Sequence, residues 1–268
     1  MEKNRVLELE KGRQARRSAD VVSAIRFQET QRGESLINDP FAHLFVSPEG
    51  EEMLALALKR WPFFAEYIIA RDKFFDDHLT AFCQEGGVRQ IVLLGAGNDM
   101  RAARLLFLKG KKVFEVDLSN QMRLKKTILL NALGKLPEQA VYVEADVTED
   151  DFVGRLVQAG FVPNEKSAFI IEGLIYYLHP ACVDRLFEEL SFVPSLGNLF
   201  LIDHISVDFS QKSLDPEKRG KPPYPEDLSG YLSRRGFSIR ESALLGDLTE
   251  KYYGKKYKEK WWVIAAIK

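Results

Sequence analysis

Short apolar runs alternate with amphipathic stretches along the chain from Gln90 onward. Five of these runs are rich in β-branched and aromatic residues: IVLLG from Ile91, KVFEVD from Lys112, AVYVEAD from Ala140, SAFIIEG from Ser167 and LFLID from Leu199. Near-continuous apolar strands are typical of a parallel sheet that is covered on both faces. The alternation therefore predicts an α/β fold with a doubly wound, mostly parallel, Rossmann-like sheet.

The amphipathic stretches between these runs predict the crossover helices. After Ser119 or Asn120, either of which can cap a helix, apolar residues recur at helical spacing as far as Leu133. We expect further helices near 100–108, at 150–159, after Pro180 and at 225–235. Two terminal strands at about 237–242 and 261–267 complete the predicted sheet.

Residues 1–85 lack this alternation of strands and helices, and their segments have a helical pattern. We expect an N-terminal helical cap over the ligand site at 1–85, followed by the α/β domain at 86–268; the alternative is a helical layer that only covers the sheet. The polar stretch at about 205–225 contains Pro222, Pro223 and Pro225, which exclude the interior of a helix or strand. It predicts a lid insertion.

Composition narrows the class of protein. The formal net charge of −1 over 268 residues provides no general attraction to nucleic acid or to an anionic membrane. Cys83 and Cys182 are far apart and have no metal-ligand spacing, so we expect neither a disulfide framework nor a metal site. No segment resembles a signal peptide or a transmembrane helix, which favours a cytoplasmic protein.

The first and second predicted strands end in residues that suit a nucleoside-bearing ligand. Strand one runs into the turn Gly95-Ala96-Gly97-Asn98-Asp99, and strand two ends at Asp117, 20 residues after Gly97 and just before Leu118. Glycines permit close backbone approach, and a carboxylate at the second position can accept hydrogen bonds from both ribose hydroxyls. The alternative for Asp117 is a helix N-cap.

A nicotinamide dehydrogenase would use the same two features, but its longer glycine fingerprint is incomplete here. The third glycine, which allows the helix and strand to pack closely, is replaced by Met100. Asp146 ends strand three, where it can face an adenine ring with Val147 or, alternatively, cap the next element. Glu172 lies in the apolar segment FIIEGLIYYL, where it needs a ligand or a buried partner.

The chain resembles the leucine carboxyl methyltransferase family and its bacterial branch. The resemblance rests on SAIRFQETQRGESLINDPFAHLF, ARDKFFDDHL, IVLLGAGNDMR, VFEVD, VEADV, IIEGLIYYL and WWVIAAIK, in that order. It implies a class I methyltransferase sheet that binds S-adenosyl-L-methionine. The implied cofactor site comprises Arg71, Gly95, Ala96, Gly97, Asp99, Asp117, Leu118, Asp146, Val147 and Glu172, with Arg71 at the methionine carboxylate; an exposed salt bridge is the alternative for Arg71. Met100 departs from the threonine usual in the family.

For the reaction we expect O-methylation of a carboxylate or hydroxyl on a small-molecule acceptor, without a metal. The alternatives are methylation of a protein C-terminal leucine and a catalytically silent cofactor-binding module. Tyr176, Tyr177, His179 and His204 follow strands four and five and are candidates for the acceptor pocket, although packing roles are equally open to them. Arg26 is either a basic site residue of the family or structural.

Overall fold

The five apolar runs form strands of one sheet in the computed structural model, which describes residues 2–149, 151–194, 197–205 and 224–268, with side chains from residue 16 onward. The strands are β1 (Gln90–Leu94), β2 (Lys112–Asp117), β3 (Ala140–Glu144), β4 (Ser167–Ile171), β5 (Leu199–Ile205), β6 (Ser238–Leu244) and β7 (Trp261–Ile267). Their order is β3-β2-β1-β4-β5-β7-β6. Strands β1 to β5 are parallel, and β7 runs antiparallel to both β5 and β6.

This topology confirms the predicted doubly wound, mostly parallel sheet. Strand β1 pairs with β2 on one side and with β4 on the other. The chain therefore proceeds outward from β1 in two directions, and the carboxyl ends of β1 and β4 flank the point where the strand order reverses. Open parallel sheets bind their ligands in the crevice at such a point.

The helices are α1 (Glu2–Thr30), α2 (Pro48–Arg60), α3 (Phe64–Gln84), α4 (Arg101–Arg104), α5 (Ser119–Leu133), α6 (Phe152–Gln158), α7 (Pro180–Ser191), α8 (Leu228–Ser233) and α9 (Leu245–Tyr253). The predicted helix at 100–108 is interrupted at Leu105, whose backbone is extended. Helix α8 is shorter than predicted because Asp227 caps it, accepting a hydrogen bond from the Gly230 N–H. Helix α9 was not predicted.

Alternate residues of each strand pack against two separate hydrophobic clusters. Ile91 and Leu93 of β1 belong to one cluster, on what we call the front face, and Val92 and Leu94 belong to the other, on the back face. Helices α1 to α5 and α9 supply front-face residues, whereas α6 to α8 cover the back face. The N-terminal helices thus share one continuous core with the sheet.

Strand β5 is longer than predicted and changes the position of one candidate residue. It continues to Ile205, so that His204 lies within the strand and not in the loop that follows. Most of the predicted lid at 205–225 falls on residues 206–223, outside the described part of the chain. None of the described helices has both the length and the apolar character needed to cross a bilayer.

Candidate active site

The glycine turn after β1 is tied to the end of β2. The backbone N–H groups of Gly95 and Ala96 donate to the Val116 carbonyl at 2.9 and 3.1 Å. Gly95 and Gly97 have φ angles of +69° and +47°, a region that favours glycine. These constraints place the turn at the carboxyl ends of two neighbouring parallel strands, where the topology predicts a ligand.

Asp117 lies directly at this turn, as its spacing from the glycines predicts. Its Oδ2 accepts from the Gly97 N–H at 2.7 Å, and its Oδ1 accepts from the Leu118 N–H at 2.7 Å. Burial raises the pKa of Asp117, and these two hydrogen bonds oppose the rise. Helix α5 has Leu118 at its N-cap position, so the capping alternative for Asp117 is wrong. Each carboxylate oxygen retains a lone pair for a ribose hydroxyl.

Glu172, the residue directly after β4, is surrounded by three arginines. Arg26 Nη2 and Arg71 Nη2 donate to Oε1 at 2.8 and 2.7 Å, and Arg101 Nη1 donates to Oε2 at 2.7 Å. Burial acts to raise the pKa of Glu172, but the three guanidinium groups outweigh it and hold the pKa well below its ordinary value. The carboxylate is therefore ionised and has buried partners, which is one of the two alternatives for Glu172; its contact with a ligand stays a prediction.

Further acids surround these arginines and complete what we call the arginine–acid cluster: Arg26, Arg71, Arg101, Arg104, Asp72, Asp76, Asp99, Glu172 and Asp203. Arg71 is only 2% exposed, so the alternative of an exposed salt bridge is wrong. Asp99, from the glycine turn, pairs with Arg101. Because Asp99 belongs to both features, the cluster adjoins the turn.

The acids of the cluster titrate differently according to their partners. Burial raises the pKa of Asp72 to about 6 despite its contact with Arg26, and the nearby charge of Glu172 adds to the rise. Burial also raises the pKa of Asp203, opposed by Arg71. For Asp99, the attraction of Arg101 exceeds the effect of burial and lowers the pKa. The cluster thus contains firmly ionised carboxylates together with Asp72, whose pKa is raised to about 6, and Asp203, whose pKa is also raised.

Helix α1 lies over the glycine turn. Asn98 Nδ2 donates to Asp20 Oδ1 at 3.2 Å and to Ser23 Oγ at 3.3 Å. A Cβ atom built on Gly97 would lie 3.3 Å from the Cβ of Ala19. Farther along α1, Arg26 enters the arginine–acid cluster, where it binds Asp72 as well as Glu172. Arg26 therefore lies in the candidate site.

Asp146 and Val147 follow β3 at the same edge of the sheet. Asp146 Oδ1 accepts from the backbone N–H and the hydroxyl of Thr148 at 2.8 and 2.6 Å. Helix α6 is capped by Asp151, so Asp146 stabilises its own turn and not a helix N-terminus. Val147 is buried in the back-face cluster. Their contact with adenine stays a prediction.

The candidate acceptor residues lie in different surroundings. The Tyr176 hydroxyl approaches Asp203 Oδ2 at 3.4 Å, beside the arginine–acid cluster, and the Tyr177 hydroxyl approaches Ser18 Oγ at 3.4 Å. His179 caps helix α7 through the Ala181 N–H. His204 is buried on the back face, opposite the cluster.

The ring of His204 is bound to the chain beyond the undescribed segment. Its Nε2 lies 2.6 Å from the Pro225 carbonyl oxygen. Burial lowers its pKa to about 4, opposed by this hydrogen bond. The expectation that His204 enters the pocket from a loop after strand five is thus wrong, because continued pairing with β7 keeps it in the sheet.

Several residues of the cluster were not expected from the sequence, namely Asp72, Asp76, Arg101, Arg104 and Asp203. Asp203 has the signal that identified Glu172, since it ends the apolar run LFLID. Arg101 and Asp76 are distant in the sequence, yet Arg101 Nε donates to Asp76 Oδ1 at 2.7 Å. No single-sequence pattern connects such a pair.

The residues at the turn and in the cluster fit the cofactor that the resemblance implies. Asp117 offers acceptors for a ribose, and the glycine backbone permits close approach. Three buried arginine nitrogens of the cluster, Arg71 Nε, Arg101 Nη2 and Arg104 Nε, have no hydrogen-bond partner among the described residues. Buried donors of this kind suit an anionic group such as a carboxylate. Across the described residues, His, Cys, Asp and Glu form no grouping suited to a metal ion.

Comparisons with known proteins agree with this arrangement. The family model for leucine carboxyl methyltransferase matches residues 19–191. A protein of Parafrankia sp. (strain EAN1pec) is 33% identical over 239 residues, which are 86% of this chain and 75% of the relative. A protein of Mycolicibacterium gilvum (strain PYR-GCK) is 29% identical over 270 residues, which cover 93% of this chain and 84% of the relative. Both have the provisional name S-adenosyl-L-methionine-dependent methyltransferase.

Two solved structures share the fold. A provisionally named methyltransferase of Thermobifida fusca YX superposes with a TM-score of 0.65 at 14% identity, over 93% of this chain and 94% of that protein. A DUF574 family protein of Streptomyces avermitilis MA-4680 gives a TM-score of 0.63 at 15% identity, over 94% and 97%. Together with the match to residues 19–191, the sheet order and the glycine turn beside Asp117, these findings show that the chain belongs to the leucine carboxyl methyltransferase family.

Proposed function

We propose that this S-adenosyl-L-methionine-dependent methyltransferase methylates an oxygen atom of a small molecule, a carboxylate in preference to a hydroxyl. The proposal rests first on Asp117, whose Oδ2 lies 2.7 Å from the Gly97 nitrogen. With the ribose at Asp117, the sugar lies against the glycine turn. Asp146 and Val147 are then available to the adenine, and Arg71 to the methionine carboxylate.

The preference for a carboxylate follows from the positions of the histidines. The chain has four, and each lies in the described part of the structure. His43 and His78 bind backbone carbonyls on the surface, His179 caps a helix, and His204 is buried on the back face. No imidazole is therefore placed beside Asp117 or Glu172 as a general base. A carboxylate acceptor is already ionised near pH 7 and needs no base.

In this reaction the cofactor supplies an activated methyl group. A carboxylate acceptor held in line with that methyl group would take it without releasing a proton, whereas a hydroxyl acceptor would have to give up its proton. The protein has to align the acceptor and exclude water. In this proposal Tyr176, beside the arginine–acid cluster, and Tyr177, beside helix α1, form walls of the acceptor pocket.

Calorimetry and a labelling assay test the proposal. S-adenosylmethionine and S-adenosylhomocysteine should bind the wild-type protein, and Asp117→Ala should weaken both. Incubation with methyl-labelled cofactor and a panel of small carboxylates, small alcohols and peptides ending in leucine then identifies the acceptor. Methyl esters release the label as methanol in alkali, whereas methyl ethers keep the label. Label in the peptides alone would contradict a small-molecule acceptor, and absence of cofactor binding would contradict the whole proposal.

A further inference from the structure

Asp203 joins four separate parts of the candidate site. It is fully buried on the front face of β5. Its Oδ1 accepts from the Gly173 N–H at 2.7 Å. Its Oδ2 accepts from Arg71 Nη1 at 3.0 Å, from Trp261 Nε1 at 3.1 Å and from the Tyr176 hydroxyl at 3.4 Å. Asp203 therefore connects helix α3, the end of β4, the turn that contains Tyr176, and β7.

The contact with Asp203 fixes the orientation of Arg71. The guanidinium group is planar, and its two outer nitrogens are both occupied, Nη1 by Asp203 and Nη2 by Glu172 at 2.7 Å. The ring of Trp261 lies over the same group, with its centroid 5.7 Å from Cζ. With both ends of the plane held, the direction of Nε is determined. This Nε is buried and has no hydrogen-bond partner within the described part of the chain.

Without Asp203 the guanidinium group of Arg71 could rotate toward another acidic residue. Asp72 Oδ1 lies 3.7 Å from Arg71 Nη2. Together with Glu172, it offers a second acidic partner near Nη2. If the guanidinium group rotated toward Asp72, it could use its Nε donor, which has no hydrogen-bond partner in the present orientation.

We propose that Asp203 is a positioning residue for cofactor binding. By holding Arg71 Nη1, it keeps the Nε donor free and directed so that it binds the carboxylate of the methionine part of S-adenosylmethionine. This inference rests on the proposed function, because it requires the methionine part to lie beside Arg71. Asp203 itself touches neither the cofactor nor the acceptor.

A pair of ligands separates this role from a general structural one. S-adenosylhomocysteine has the methionine carboxylate, whereas 5′-methylthioadenosine has the same adenosine and a thioether but no amino-acid part. Asp203→Asn keeps the shape of the side chain but removes the negative charge that pairs with Arg71, and in either orientation its amide nitrogen faces a hydrogen-bond donor. By calorimetry, the Kd for S-adenosylhomocysteine should rise about tenfold or more, as expected for a lost charge-assisted contact, and the Kd for 5′-methylthioadenosine by less than about twofold.

Asp184→Asn is the matched control. It removes the charge of another carboxylate that pairs with an arginine, Arg235 at 2.9 Å, but it lies on helix α7, away from the arginine–acid cluster, so both dissociation constants should stay within about twofold of wild type. A double-mutant cycle adds a second readout: in an Arg71→Met background, Asp203→Asn should produce no further loss for S-adenosylhomocysteine. Should Asp203→Asn fail to fold, Asp203→Glu displaces the same carboxylate, and the two ligands are compared in that variant.

The outcomes are distinguishable. Selective weakening of S-adenosylhomocysteine that disappears without Arg71 supports the positioning role. Equal weakening of both ligands, or no change in either, overturns it. If the wild-type protein binds neither ligand, the proposed function itself has failed, independently of Asp203.

Discussion

Glu172→Gln tests whether the arginine–acid cluster depends on the charge at its centre. The variant keeps the volume of the side chain but replaces one carboxylate oxygen with an amide nitrogen. Three charge-assisted hydrogen bonds, from Arg26, Arg71 and Arg101, then lose part or all of their strength. At about 1.5–3 kcal/mol for each contact, with one lost and two weakened, we expect the free energy of unfolding to fall by about 3–5 kcal/mol. Asp72 offsets a part of this, because loss of the Glu172 charge lowers its pKa.

Urea unfolding at pH 7, followed by circular dichroism, measures the effect. The urea midpoint should fall while the m value, the slope of the unfolding free energy against urea concentration, stays unchanged. The thermal midpoint should drop by about 10 °C. Glu241→Gln is the control, because Glu241 forms a surface pair with His78 at 3.2 Å and its side chain is 53% exposed. Loss of this surface pair should lower the free energy of unfolding by less than about 1 kcal/mol. A similarly small loss for Glu172→Gln would refute the reasoning, since it would mean that the arginines find equivalent partners.

Three other variants probe the turn and the core. Asp117→Asn should raise the Kd for S-adenosylhomocysteine about tenfold in calorimetry, because the amide offers the ribose hydroxyls a weaker acceptor. Gly97→Ala should lower the free energy of unfolding by about 1–2 kcal/mol in urea, because alanine is strained at a φ of +47°. The folded pKa of His204 is near 4, below its ordinary 6.5, so wild type should lose up to about 3 kcal/mol of stability between pH 6.5 and 4. The His204→Gln variant should not show this loss of stability. A pH profile of stability identical to that of wild type would contradict the effect assigned to His204.

Periodic patterns in the sequence predicted the sheet well. The bounds predicted for β2, from Lys112 to Asp117, agree with the structure, and those of β7 agree as well, because each is an apolar run flanked by polar residues. His204 was misplaced for a physical reason: its imidazole is compatible with a loop, but pairing with Trp262 of β7 extends the strand past it. Helix α9 is only nine residues long and follows β6 directly, so its pattern merged with that of the strand.

The candidate site was only partly predictable. Gly97 and Asp117 come from adjacent strand ends, so their proximity follows from spacing and topology alone. The arginine–acid cluster, by contrast, joins residues from α1, α3, α4, β4 and β5. Buried ion pairs such as Arg101 with Asp76 leave no periodic signal, because either residue alone is typical of a solvent-exposed helix face. Glu172 was recognised only because a charge interrupts its apolar surroundings.

The position of helix α1 has a kinetic consequence. Ala19 faces Gly97 directly, and Asn98 is hydrogen bonded to the same helix. A nucleoside that settles on the glycine backbone therefore lies within reach of this helix. We therefore expect association to be slower than diffusional encounter, with product residence time set by movement of this helix away from the turn.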